Sequence, residues 1–98
     1  MSVYMHKAPT KGRYGPAYHL MADSHQELIE CADEIGLSLV WIQREGTEYE
    51  HFDLMGQYIS KGLAIAQLID DRTAVELIRR KRSGIRSYNE QISQSLLL

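Results

Sequence analysis

Four side chains in this sequence could move a proton or hold a divalent metal: His19 and Asp23, and His51 and Asp53. Imidazole titrates near neutral pH, and imidazole together with carboxylate offers nitrogen and oxygen donors to a divalent ion. His19 and His51 are the candidate catalytic bases, and all four residues are candidate metal ligands. Either role requires the two His/Asp pairs to converge in space. Each residue also has a structural alternative: Asp23 can bond turn amides beside Ser24, and His51 can be an ordinary loop residue.

A second group, Gly12 and Arg13 with Lys7, Lys11 and Gly15, could hold an anion. Glycine lets backbone amides approach a ligand, and guanidinium grips phosphate or carboxylate at two points. The pattern is neither a Walker nor a Rossmann motif, and a solvated basic loop is its alternative. A third feature is the basic run Arg79-Arg80-Lys81-Arg82. Four adjacent residues point around a helix rather than along one face. With a net charge of -2 and no interleaved aromatic platform, helix capping and pairing with acids explain the run better than nucleic-acid binding.

These groups depend on the elements that carry them. Ser2 to His6 alternates around Val3 and Tyr4 and predicts a first strand, and both prolines then mark an irregular loop. Tyr18 to Ala22 reads as a second strand. Ser24 and Glu27 have capping-box spacing, so a helix is predicted from His25 to Ile35. Its apolar stripe is Leu28, Ile29, Cys31, Ala32 and Ile35, and Gly36 ends it. Leu37 to Gln43 is apolar on both alternating faces, which predicts a buried central strand with Trp41 in the core and a parallel connection back to the sheet. Arg44 to Glu50 is a polar loop. Met55, Tyr58, Ile59, Ile65, Ala66 and Ile69 recur at helical spacing, with Gly62 inside as a close contact or a kink. A second capping-box match at Thr73 to Glu76 predicts a helix through Arg82, its bases gathered at the C-terminal end, and Gly84 is expected to interrupt it. Ile85, Tyr88, Ile92 and Leu96 continue an apolar stripe.

The expected fold is therefore α/β: a small sheet with partly parallel strands covered by about three helices. Residues 1–83 form the domain, and residues 84–98 form a helical extension that could bury its leucines in a homo-oligomer. Ninety-eight residues that are 44% hydrophobic support one small core and no cleft between domains, so a site must be shallow or shared between subunits. Cys31 is the only cysteine, which excludes an internal disulfide and the multi-cysteine zinc patterns and suits a reducing cytoplasm. No stretch has the length of a signal-peptide core or a membrane span. Charge is divided: nine acids and one base lie between Asp23 and Asp53, against six bases and one acid between Arg72 and Arg86. Such regions can pair within one fold, pair between subunits, or stay solvated.

Gly12-Arg13, then His19-Leu20-Met21-Ala22-Asp23, a capped helix ending in Ile35-Gly36-Leu37, Trp41-Ile42-Gln43 and His51-Phe52-Asp53-Leu54 occur in an order that resembles a small bacterial and phage family, the domain of unknown function numbered 4031. The resemblance spans about residues 3–69. Val3-Tyr4-Met5 fits its first strand, but His6 stands where the family has aspartate, and the glycine-alanine usual after its second helix is not evident near Leu68 and Ile69. The resemblance implies that Gly12, Arg13, His19, Asp23, His51 and Asp53 belong to one site, and it supplies no reaction. The leading expectation is binding or sequestration of a phosphorylated or nucleotide-like small anion, with a divalent metal as the candidate cofactor. A metal-dependent or His/Asp hydrolase is one alternative. The other is an interaction module that self-associates through Ile85 to Leu98.

Overall fold

The computed structural model describes residues 2–9 and 15–96, the segment 87–96 by its backbone alone. Its elements are β1 (Val3–Lys7), β2 (Tyr18–Ala22), α1 (His25–Glu34), a 3-10 turn (Leu39–Trp41), β3 (Phe52–Leu54), α2 (Gln57–Leu63), β4 (Gln67–Ile69) and α3 (Asp71–Leu96). The four strands form one mixed sheet in the order β3-β2-β1-β4. β2 runs antiparallel to both β1 and β3, and β4 is parallel to β1. This is the small, partly parallel α/β domain that the sequence predicts.

Strand register sorts the residues onto two faces. Met5 pairs with Leu20, and Leu20 with Phe52; all three are fully buried. They meet Leu28, Cys31 and Ala32 from α1, the apolar stripe expected of that helix. Because side chains alternate along a strand, the next residues, His6, His19 and Asp53, must share the opposite face. They are themselves a register row. On that face α3 contributes Ala74, which is buried.

The cap of α1 forms with one change. Ser24 Oγ accepts from the Glu27 amide at 3.2 Å. The Glu27 carboxylate, instead of bonding the Ser24 amide, accepts from the Ser24 hydroxyl at 2.9 Å and from the Ser2 amide at 2.6 Å. The start of β1 is thereby tied to the start of α1. Gly36 has φ +86° after the last turn, the left-handed geometry expected of a helix stop.

Three expectations are corrected. Leu37 to Gln43 is not a central strand. The middle of the sheet is occupied by β1 and β2, and this segment reaches the sheet only by the isolated bridge between Gln43 and His51 at its outer edge. Leu37 is buried, but Val40 and Trp41 are 84% and 54% exposed. A short apolar run does not by itself distinguish a buried strand from a turn that anchors one side chain. The expected helix from Met55 to Ile69 is two elements, because α2 ends at Leu63 and Gln67 to Ile69 pair with the free edge of β1. Finally, α3 starts at Asp71, and Asp70 Oδ1 accepts from the Thr73 amide at 2.9 Å. Asp70 thus takes the capping role expected of Thr73. The helix passes Gly84 without interruption, so Arg79 to Arg82 lie in mid-helix, away from the C-terminal carbonyls.

Gly62 is a close-packing position. A Cβ there would sit 2.7 Å from both Leu54 Cδ1 and Met5 Sδ, and these two side chains are fully buried. Overpacking of this kind costs about 1–3 kcal/mol. Gly62→Val is expected to lower stability by about 2 kcal/mol, read as an earlier urea midpoint at unchanged slope.

Candidate functional site

β2 and β3 place His19 directly opposite Asp53. His51, two residues before Asp53, extends the same face of the strand line, and the bridge to Gln43 holds it there. The result is a three-residue cluster. The Nε2 atoms of His19 and His51 lie 3.6 and 3.4 Å from Asp53 Oδ1. The two imidazole rings are 4.6 Å apart between centroids, and one donor atom from each of the three residues falls within 4.8 Å of the others.

Neighbouring groups orient these donors. His51 Nδ1 lies 2.8 Å from the Tyr49 carbonyl oxygen, which can only accept, so Nδ1 donates and the ring is held with Nε2 toward the cluster. Gln43 Nε2 donates to Asp53 Oδ2 at 2.6 Å, leaving Oδ1 to face both imidazoles. Burial, with help from His51 and against the pull of Asp53, lowers the His19 pKa below its ordinary 6.5. A neutral imidazole is the form that can bind a metal or accept a proton.

His6 extends the group along β1, its ring centroid 5.9 Å from that of His19. Its Nε2 lies 2.5 Å from Asp71 Oδ1 at the start of α3. Between the sheet and α3 opens a groove of about 620 Å³, lined by His6, His19, His51, Asp71 and Val75 and reaching Lys7 to Pro9 at its rim. His6 stands where the family has aspartate, so the resemblance assigns it no role, and Asp71 and Gln43 belong to no local motif that marks them. The alternation in β1 was the available signal for His6, since it places His6 on the face opposite Met5.

Asp23 is not in this cluster. It follows β2 four positions beyond His19, roughly 13 Å along an extended chain. Its carboxylate oxygens lie 3.2 and 3.3 Å from the Tyr4 hydroxyl. It lines a separate cavity of about 450 Å³ with His25, Glu50 and Lys81. Gly12 and Arg13, together with Lys11, lie outside the described residues. Residues 97 and 98 and the side chains of Tyr88, Ile92 and Leu96 do too, so the expected oligomer stripe is represented only by Ile85. The acidic and basic regions do meet within the chain: Arg82 Nε donates to Glu48 Oε1 at 3.0 Å, and Arg82 Nη2 to the Tyr49 hydroxyl at 2.6 Å. Cys31 is buried as expected, and burial raises its thiol pKa. Among the described residues no helix is long and apolar enough to cross a membrane.

The depressed His19 pKa has a signed consequence. Well above pH 6.5 the imidazole is neutral in both the folded and the unfolded chain. As pH falls below 6.5 the unfolded chain takes up the proton first, and folding loses free energy until the folded-state pKa is reached. His19→Asn is expected to flatten the fall of Tm between about pH 6.5 and 5, where His is the residue that ordinarily titrates. An unchanged Tm-against-pH slope would rule this out.

No curated protein and no solved structure matches the chain at a significant level. The model of the family described as protein of unknown function (DUF4031) matches residues 3–81, most of the chain, and the protein therefore belongs to that family.

Proposed function

We propose that this protein binds a divalent metal through His19, His51 and Asp53 and uses the open positions of that metal to hold a small phosphorylated anion. The observation that carries this reading is the convergence of two imidazole nitrogens and one carboxylate oxygen within 4.8 Å. Bonds of about 2.0–2.2 Å to a single ion put neighbouring ligand atoms about 3.4 Å apart in a tetrahedral site, close to the 3.4 and 3.6 Å found here. Two histidines and one carboxylate leave coordination positions for an outside ligand. The groove supplies room beside them, with Lys7 at its rim. Arg13 follows that rim in the sequence and is the expected second contact for the anion.

Metal-dependent hydrolysis of the bound ester is the second reading, favoured by His6. Its Nε2 is held by Asp71, and its ring stands 5.9 Å from the His19 ring, where a proton-transferring side chain would be needed. Titration calorimetry with Mn²⁺ and then ribose 5-phosphate tests both parts. Saturable metal binding followed by ester binding to the loaded protein is expected. Equal ester affinity in the presence of a chelator would remove the metal from the reading.

A further inference from the structure

Asp53 has a second side. Besides facing the two histidines, it lines a separate cavity of about 580 Å³ with Trp41, Gln43, Met55, Gln57 and Tyr58. That volume lies within the range of small-molecule sites, about 300–1,000 Å³. The 3-10 turn carries Trp41 and the first turn of α2 carries Tyr58, and the two rings meet edge-on, with centroids 6.4 Å apart and planes at 77°. They form two walls of a corner rather than covering one another. Trp41 remains 54% exposed. A large aromatic side chain is costly to leave in water without a partner, and the exposed Trp41, edge-on to the half-buried Tyr58, frames a recess beside the Asp53 carboxylate.

The geometry points to this corner as the subsite for the base of a nucleoside phosphate whose phosphate is held at the His19–His51–Asp53 centre. The inference rests on the reading of that centre as a metal and anion site, and it narrows the ligand class. A flat heterocycle stacks on one aromatic wall and abuts the other, with stacking that tolerates different bases. The side-chain amides of Gln43 and Gln57 offer both donors and acceptors to its edge. Gln43 joins the two halves, because the same amide donates to Asp53 Oδ2. A sugar phosphate without a base would leave the corner unused.

Trp41 is the only tryptophan, so its emission reports directly on the subsite. The full chain, loaded with Mn²⁺ and checked for bound metal by electron paramagnetic resonance, is titrated with AMP, UMP and ribose 5-phosphate. The two nucleotides are expected to change Trp41 emission and to bind at least about tenfold more tightly than ribose 5-phosphate, as one stacked base provides. Trp41→Ala, at an exposed position, is expected to remove that margin while leaving ribose 5-phosphate affinity and Mn²⁺ binding unchanged. Equal affinity for all three ligands with Mn²⁺ bound would overturn the base subsite and leave the metal and anion reading standing. Failure to bind Mn²⁺ would overturn both. Trp41 emission that instead varies with protein concentration would assign the exposed turn to contact between copies and also overturn the subsite.

Discussion

Saturating Zn²⁺ or Mn²⁺ should raise the Tm of the wild-type chain by on the order of 10 °C, and His51→Ala or Asp53→Asn should remove the shift. A ligand present at one hundred times its Kd stabilises the folded state by about 2.7 kcal/mol. In a domain of this size each kcal/mol moves Tm by about 4–8 °C. The effect should be large because the donors are already oriented: Tyr49 holds the ring of His51, Gln43 turns Asp53, and burial keeps His19 neutral. Little reorganisation is left for the ion to drive. The variants separate metal binding from general damage, since Asp53 and His51 are only part-buried and neither belongs to the apolar core. A chelator should return the wild-type Tm to its starting value. A shift that survives both substitutions would place the metal elsewhere.

Acidification should weaken the same shift. Protonating His19 removes a lone pair from the site, so metal affinity falls as pH falls. The lowered His19 pKa delays that loss relative to a free imidazole. The structural part of the prediction and the pH dependence thus rest on one residue pair, joined through Asp53.

How far the sequence foretold this arrangement depends on the range of the interactions involved. α1 was legible because its signals are local: a capping residue, a 3.6-residue apolar stripe and a terminal glycine all lie within 13 residues, Ser24 to Gly36. β1 and β2 were legible from alternation. β4 was not, because Ile65, Ala66 and Ile69 fit helical spacing, while the force that makes Gln67 to Ile69 a strand is the unpaired edge of β1, 63 residues away. Trp41 misled for a related reason: apolarity states that a residue would gain from burial, not that a place for it exists. The pairing of His19 with Asp53 is a register fact that spacing alone does not show; an α/β unit makes the convergence reasonable and the family resemblance implies it. Asp23 carried the same resemblance, yet strand geometry takes it to the other end of β2. His6 and Asp71 are far apart in the sequence and meet because β4 pairs with β1, setting Ile69 beside His6 and the start of α3 two residues further on.

The largest loss of stability at a polar residue is expected at Glu50, away from the histidine cluster. Glu50 is 3% exposed; its Oε2 accepts from the Gly46 amide at 3.0 Å and lies 2.9 Å from His25 Nδ1. Facing the same cavity is Lys81, whose Nζ is buried with no hydrogen-bond partner among the described residues. Burial lowers the Lys81 pKa, and Glu50 is the foremost of the acids that oppose this, ahead of Asp23 and Glu48. Glu50→Ala would strand the Gly46 amide and leave the ammonium with less compensation. A buried charge that loses its counter-charge costs about 3–5 kcal/mol; with Asp23 and Glu48 still present, about 3 kcal/mol is expected. Lys81→Met is expected to cost less, because it removes a desolvated charge and keeps the apolar stem, while the Glu50 carboxylate retains the Gly46 amide and His25 as partners. If the two residues are coupled through the cavity, the double variant must lose less than the sum of the two single changes, and urea unfolding of the four proteins gives the coupling directly. Additive losses would show that Glu50 acts only through the loop amide and His25, and that Lys81 finds its compensation elsewhere.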